Sequence, residues 1–349
     1  MNKKFFLPSL AAIFLTALFI KNPELTSACV KSGLESCFLT IIPSLFPFMV
    51  VAEILCECGA LDFFSRILGK RASRIWGLSP KAMASVLSGL ILGFPIGTRA
   101  LTKLYDNGEI SSDELRAAIG FCGIPSFGFI VNVMGISLFS SKSFGLFMYF
   151  AAIISALLSG IVFTKRGQTQ YDFVSPPRKK EKSSAEIITG AISSSAGATI
   201  TLCAYVIFFS CIVGCISELI VSEFAGAFIG SVLELSTGVL ACAGMGGTLG
   251  IALCGFSVGW SGLSVHFQTA ALISERVTSY SEYFMRKLCQ GLLCSAFALV
   301  YTLTTDFKLA STNIAVVLPV PNPNRAAVVF IIFILCMSIS VRKIYNKNP

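Results

Sequence analysis

Charged residues are scarce in this chain, and their scarcity excludes a soluble globular domain. Only 13% of the 349 residues are Asp, Glu, Lys or Arg, while 54% are hydrophobic. Soluble domains carry about 25% charged residues. The chain is therefore predicted to be an integral membrane protein.

Histidine is nearly absent, and zinc-type cysteine pairs and catalytic motifs are missing. The chain has one histidine, His266, and a lone histidine cannot build a zinc site, so we expect no metal. The thirteen cysteines are scattered, most within apolar stretches, and are assigned to helix packing, with a disulfide or metal use at Cys56 and Cys58 as the minor alternative. No P-loop, dinucleotide-binding glycine pattern, HExxH or GxSxG is present, so we expect no cofactor, no catalytic residue and no enzyme activity.

Long apolar stretches are what the chain has instead. Ten of them approach the roughly 20 residues that cross a bilayer core of about 30 Å. They lie at 5–20, 35–56, 82–98, 119–139, 144–164, 190–217, 225–242, 246–273, 286–304 and 326–341. The first stretch follows two lysines, as in a signal peptide, but we interpret it as an uncleaved membrane helix of a multi-pass protein.

Two of these stretches are interrupted where a membrane helix should be smooth. The runs 88–97 and 229–238 align without a gap, Gly89 over Gly230, and both end in glycine. Backbone that gives up helical hydrogen bonds at membrane depth is tolerated only where it is buried in protein or lines a cavity. Matched interruptions in two halves therefore predict a solute site.

The distribution of basic residues predicts how the interrupted stretches are placed. If 82–98 and 225–242 each enter and leave by one face, every strongly basic loop, including 276–287, and most of the 27 basic residues fall on the cytoplasmic side. This predicts an all-α protein with eight spanning helices, two re-entrant segments and both termini in the cytoplasm. The two halves then become inverted repeats, the usual architecture of alternating-access transporters.

Five parts follow from this arrangement. They are an N-terminal membrane helix and loop (1–30), a first repeat (31–164), a basic cytoplasmic linker (165–185), a second repeat (186–305), and a C-terminal membrane helix with a basic tail (306–349). The linker is expected to be solvated and to touch anionic lipid headgroups. Nucleic acid is not expected as a partner, because the basic residues lie in short loops between helices.

Glu234 is the strongest candidate for chemistry. An acid inside an apolar run costs about 2.5–3.5 kcal/mol on insertion and normally faces a cavity or a partner. It is predicted to bind sodium or a polar solute, or to carry a proton; the alternative is an acid exposed at a helix end. His266 and Gln268 add hydrogen-bond donors and acceptors to the site. The alternative for His266, given equal weight, is a histidine that bonds to a neighbouring helix purely for packing.

Further polar and helix-breaking residues complete the predicted site. Arg99 is interpreted either as a bidentate carboxylate binder or as a snorkelling cytoplasmic anchor. The remaining candidates are Gly93, Pro95, Gly97, Gly123, Pro125, Ser126 and Asn132, the last as a buried amide, in the first half, and Ser236, Thr237, Ser261 and Ser264 in the second.

A polar insert at 105–118 is present only in the first half. Ser111 and Glu114 have the spacing of a capping box and predict the start of a helix. Charged residues on this insert, Asp113, Glu114 and Arg116, would suit a docking surface.

Several motifs together resemble a known family. They are Gly93-Phe94-Pro95-Ile96-Gly97, Leu104 to Ser111, Phe121-Cys122-Gly123-Ile124-Pro125-Ser126, Leu233 to Gly238, and Gly262 to Gln268. This combination is similar to the nucleoside-recognition, or Gate-domain, membrane proteins, and within them to the YlbJ-type sporulation integral membrane proteins. The resemblance implies a two-repeat fold similar to concentrative nucleoside transporters, a role in endospore formation, and import of a small organic anion such as dipicolinate.

The predicted function is secondary transport of a small polar or anionic organic solute, dipicolinate-like or nucleoside-like, coupled to a proton or to sodium. The predicted location is the bacterial plasma membrane or a membrane around the forespore. The alternative is a non-transporting scaffold or sensor needed for spore envelope assembly, docking through the polar insert. The sequence leaves the oligomeric state open, a homo-oligomer included.

Overall fold

The fold is known from a computed structural model that describes residues 3–59, 63, 65–66, 75–163, 183–218, 220, 222–273, 276–277 and 280–305. The described part is all-helical, 86% in helices and without strands. The predictions for the linker at 165–182, for the last apolar stretch at 326–341 and for the C-terminal tail lie outside these residues.

The helices of the first half begin with α1 (Lys3–Lys21) and α2 (Pro23–Ser36), which meet at a sharp bend. Pro23 lacks the N–H that would continue α1, and the Asn22 side chain accepts from the Leu25 N–H at 3.2 Å, which caps α2. A π-helical turn (Cys37–Ile41) leads into α3 (Ile42–Glu57). The rest of this half consists of α4 (Pro80–Leu92), α5 (Ile96–Asp106), α6 (Ser112–Ile119), the π-helical α7 (Gly128–Leu138) and α8 (Lys142–Val162).

The second half begins with the longest described helix, α9 (Ser184–Ser217), which starts at a complete capping box formed by Ser183 and Glu186. It continues with α10 (Glu223–Leu233), α11 (Leu235–Met245), α12 (Gly247–Trp260), α13 (Gly262–Ile273) and α14 (Ser281–Thr304).

Four helical segments in the described residues are long and apolar enough to cross a membrane. They are α8, α9, the α12–α13 pair and α14, and the α1–α2 pair, bent by 103°, is a fifth if it forms one span. The chain is therefore a multi-pass integral membrane protein. Four shorter helices, α4, α7, α10 and α11, are also apolar, and three of them, α4, α10 and α11, flank the two predicted interruptions.

Small residues set how closely the spans approach one another. A Cβ on Gly255 would lie 2.8 Å from the Cys294 carbonyl oxygen, and one on Gly259 would lie 2.5 Å from that of Gln290. Helix α12 therefore touches α14 backbone to backbone, as small residues allow in membrane proteins. Cys58 is an exposed free thiol, so the disulfide considered between it and Cys56 does not form.

The polar insert is held against the neighbouring helices. Asp106 accepts two hydrogen bonds from Arg276, at 2.7 and 2.8 Å, and Lys81 pairs with Glu109 at 2.6 Å. Ser111 caps α6 as predicted, but the buried Glu114 carboxylate accepts from the Ser79 N–H at the start of α4. The insert therefore fixes the entry to the first interrupted segment.

Candidate functional site

Both interrupted runs fold as two short helices joined at a break. In the first half α4 ends at Gly93, whose φ of +92° suits glycine, and α5 begins after Pro95. In the second half a single extended residue, Glu234, separates α10 from α11. The positions of the two breaks agree with the sequence prediction.

Within each half, the first and last glycines of the aligned run contact each other. A Cβ built on Gly97 would lie 2.8 Å from the Gly89 Cα, and one on Gly238 would lie 2.8 Å from the Gly230 carbonyl carbon. Both distances are shorter than real Cβ contacts, so the two short helices of each pair touch backbone to backbone. The same contact is thus built twice, once in each half.

In the first half the break lies against a second stretch of non-helical backbone. Residues 123–126 are non-helical, because Pro125 lacks an N–H and restricts the residue before it. The Phe94 N–H donates to the Ile124 carbonyl at 2.9 Å, and a Cβ on Gly93 would lie 2.7 Å from the Ser126 Cα. One backbone hydrogen bond and one close approach therefore join the two non-helical stretches.

In the second half the arrangement is repeated with different residues. Helices α12 and α13 are separated at Ser261, where φ is +71°, and Gly262, where φ is +78°. A Cβ on Gly262 would lie 2.9 Å from the Leu235 nitrogen and 3.1 Å from the Glu234 Cα. The α10–α11 break and the α12–α13 break therefore lie in direct contact.

Glu234 is buried at the centre of this contact. It is 1% exposed, and its Oε2 accepts from the Thr237 N–H at 2.7 Å and the Thr237 hydroxyl at 2.8 Å. Thr237 in turn lies 3.3 Å from the Ser210 hydroxyl of α9. The alternative of an acid exposed at a helix end is wrong. The carboxylate caps α11, where the positive end of the helix dipole stabilises its charge.

His266 lies one turn beyond the same break. Its Nε2 is 2.9 Å from the Trp260 carbonyl oxygen, which the break leaves without its helical partner. The Trp260 indole donates to the Val232 carbonyl at the end of α10, at 3.0 Å. The His266 ring packs against Trp260 and Tyr283, and its Nδ1 is buried without a partner among the described residues. The histidine thus stabilises the break and also keeps one unused nitrogen.

The predicted hydroxyl and amide groups are divided between the interior and the surface. Ser261 donates to the Val258 carbonyl at 3.4 Å, while the Ser264 hydroxyl is buried without a partner in the described chain. Gln268 is buried, and Ser236 is partly exposed. Ser126 is buried, and its hydroxyl accepts from the Phe129 N–H at the start of α7.

Arg99 links two helices. Its guanidinium donates to the Ser194 hydroxyl and, at 3.4 Å, to the Ser194 carbonyl, so it ties α5 to α9.

The prediction of a buried amide at Asn132 is wrong, because this residue is exposed. Helix α7 is wound as a π-helix, and its wider turn presents a different face from the one that a 3.6-residue period gives.

Three polar residues of α14 were missed by the sequence analysis. Arg286 and Lys287 were assigned to the cytoplasmic loop 276–287, but both are buried inside α14, as is Gln290. Arg286 donates to the Gly160 and Phe163 carbonyls, and Lys287 donates to the Gly123 carbonyl at the first-half break. The available signal was the spacing of three residues from Lys287 to Gln290, which places both on one helix face.

Comparison with known proteins finds a family match over part of the chain. Residues 38–204 match the family model named Gate and described as nucleoside recognition. This match confirms the predicted resemblance. The matched residues include the first-half break and end in α9, before Glu234.

The chain is also similar to a curated protein over most of its length. It is 22% identical over 329 residues to the sporulation integral membrane protein YlbJ of Bacillus subtilis (strain 168), with 82% of this chain and 80% of the relative covered. No solved structure matches the chain.

Proposed function

We propose that this protein is a secondary transporter of a small polar or anionic organic solute, coupled to a proton or to sodium, without enzyme activity. The observation that carries the proposal is the pair of contacting breaks in each half. Such breaks at membrane depth turn backbone polar groups and helix ends toward a solute, as in transporters with discontinuous helices.

The fold proposed with this function has eight spanning helices and two re-entrant segments, α4–α5 and α10–α11, in inverted repeats similar to concentrative nucleoside transporters. The repeated glycine contact, Gly89 with Gly97 and Gly230 with Gly238, supports a common origin of the two helix pairs. Both termini are proposed to be cytoplasmic, in accordance with the charge distribution.

Glu234 is proposed as the coupling group. It is the acid buried at the second-half break, and it keeps only hydroxyl and backbone partners among the described residues. A carboxylate held in this way can accept a proton or bind a cation as the breaks rearrange. The name of the relative supports a role in sporulation, in the plasma membrane or a membrane around the forespore.

Uptake into proteoliposomes tests the proposal, with radiolabelled dipicolinate and uridine as probes. Glu234→Gln keeps the side chain's shape and is expected to lower uptake at least tenfold while the protein still inserts. Glu223→Gln is the matched control, because Glu223 is exposed at the start of the adjoining helix α10. Normal uptake by Glu234→Gln would exclude the coupling role.

A scaffold or sensor is the second candidate. Asp113 supports it, since its side chain is 81% exposed on the polar insert and pairs with Arg116 at 2.6 Å. Glu114 does not, because it is buried beneath α4. This function requires that Asp113→Lys abolish spore formation in a complementation assay while Glu234→Gln leaves it intact; the reverse result excludes it.

A further inference from the structure

Lys287 is a basic side chain inside the protein with no acid beside it. It is 3% exposed, and its Nζ donates to the Gly123 carbonyl and, at 3.2 Å, to the Gln290 Oε1. Both acceptors are neutral. The ion pairs of the described residues involve other cations, so Lys287 is not paired with a carboxylate there. A buried ammonium in this state is strongly unfavourable unless a negative group compensates it.

Gln290 supplies a second observation at the same place. It is completely buried, and its Nε2 has no hydrogen-bond partner among the described residues. Because its Oε1 accepts from Lys287, the unused Nε2 lies next to the ammonium. An ammonium carries three N–H donors, of which the two acceptors above take two. Lys287 and Gln290 therefore form a cluster with a positive charge and unused N–H donors, and in the described residues no acceptor is bound to those donors.

The cluster also lies beside the breaks. Gly123 belongs to the non-helical stretch that contacts Phe94 in the first half. On α14, Lys287 follows Tyr283 by four residues, so the two share one helix face. The Tyr283 ring lies 5.1 Å from that of His266. Helix α14 thus links the breaks of the two halves through one polar face.

We propose that Lys287 and Gln290 form a carboxylate-binding subsite of the solute site. A carboxylate supplies negative charge and only acceptors, so it matches both unmet requirements, and its hydrogen bonds to an ammonium are strengthened by charge. The subsite takes the role that the sequence suggested for Arg99, whose guanidinium is bound to Ser194. The proposal rests on the proposed transport function for its purpose, although binding itself requires no transport.

The test measures thermal unfolding of the purified full-length protein in detergent, with sodium benzoate as the probe and benzamide as its uncharged counterpart, at constant ionic strength. Benzoate is expected to raise the melting temperature of the wild type in a concentration-dependent way, and benzamide is not. Lys287→Gln should need at least tenfold more benzoate for the same shift. Lys103→Gln is the control, because it removes a cation held by Glu53 and Glu57 elsewhere.

Gln290→Glu keeps the test valid if Lys287→Gln fails to fold. This variant places a carboxylate of its own beside the ammonium, so its melting temperature should equal or exceed that of the wild type while the benzoate response is lost. The proposal is overturned if the wild type ignores benzoate, if benzamide acts equally, or if Gln290→Glu responds like the wild type. It is also overturned if benzoate raises the melting temperature only of the Glu234→Gln variant. The Glu234 carboxylate, rather than a solute, would then fill the subsite in the wild type.

Binding and transport fail separately in these experiments. A benzoate response without any solute uptake contradicts the transporter but leaves the subsite in place. Uptake that depends on Glu234 but not on Lys287, in a protein without a benzoate response, contradicts the subsite and leaves the transporter in place.

Discussion

Replacing Gly238 by alanine tests the glycine contact on which the paired helices depend. The new Cβ would lie 2.5 Å from the Ser231 Cα and 2.8 Å from the Gly230 carbonyl carbon, and both are backbone atoms that a side-chain rotation cannot move aside. Inserting a methyl group into such a contact costs about 1–3 kcal/mol. The α10–α11 pair is therefore expected to open and to lose stability.

A control for Gly238→Ala exists six residues further along the same helix. A Cβ on Gly244 meets nothing within 4 Å, so Gly244→Ala is expected to gain about 0.5–1 kcal/mol from helix propensity. Gly238→Ala gains the same helix propensity because it lies in the same helix, so the two variants should differ by the packing cost alone, about 1–3 kcal/mol.

Equilibrium unfolding in mixed micelles of sodium dodecyl sulfate and a mild detergent measures this difference. Gly97→Ala should behave like Gly238→Ala if the two halves build the same contact. The interpretation is refuted if Gly238→Ala and Gly244→Ala are equally stable, because the close approach would then play no part in holding the helices together.

Two further predictions concern the polar insert. The Arg276 guanidinium lowers the pKa of Asp106, so their pair adds stability above about pH 4 and loses it as the pH falls through the lowered pKa. Because the Asp106 side chain is 48% exposed, Asp106→Asn should cost only ~0.2–1 kcal/mol at pH 7 and progressively less as the pH falls below 4, as measured by thermal unfolding across this pH range. Burial raises the pKa of Glu114, so its ionised form is disfavoured; Glu114→Gln keeps an acceptor for the Ser79 N–H and should match or exceed the wild type at pH 7. Glu114→Ala removes that acceptor and should lose about 1–3 kcal/mol in the same assay, and equal stability of the two Glu114 variants would contradict the capping role.

The breaks could be predicted from the sequence because their causes are local. Glycine, proline and an acid in an apolar run each disturb a membrane helix within a turn of their own position. Pro95 and Glu234 therefore indicated where each helix stops. The first break contacts residues 123–126, and the second contacts Gly262. These contacts follow from tertiary packing, for which no single stretch of sequence carries a signal.

The polar face of α14 could not be predicted for a related reason. A lysine near the start of a span is typical of a cytoplasmic boundary, where its ammonium reaches water. Lys287 follows that pattern in sequence, yet it is buried because the Gly123 carbonyl lies within its reach. Asn132 shows the opposite error, since a π-helix turned a residue expected inside to the surface.

The bond between Lys287 and Gly123 also has a consequence for biosynthesis. Its two ends are 164 residues apart, so the ribosome releases the first-half break well before α14 exists. At about 5–20 residues per second this interval is on the order of ten to thirty seconds. During that time the Gly123 carbonyl must find a temporary partner, such as water or a lipid headgroup. A nascent chain that stops before α14 cannot complete the site, so the polar centre of the protein is finished only when its last described helix is inserted.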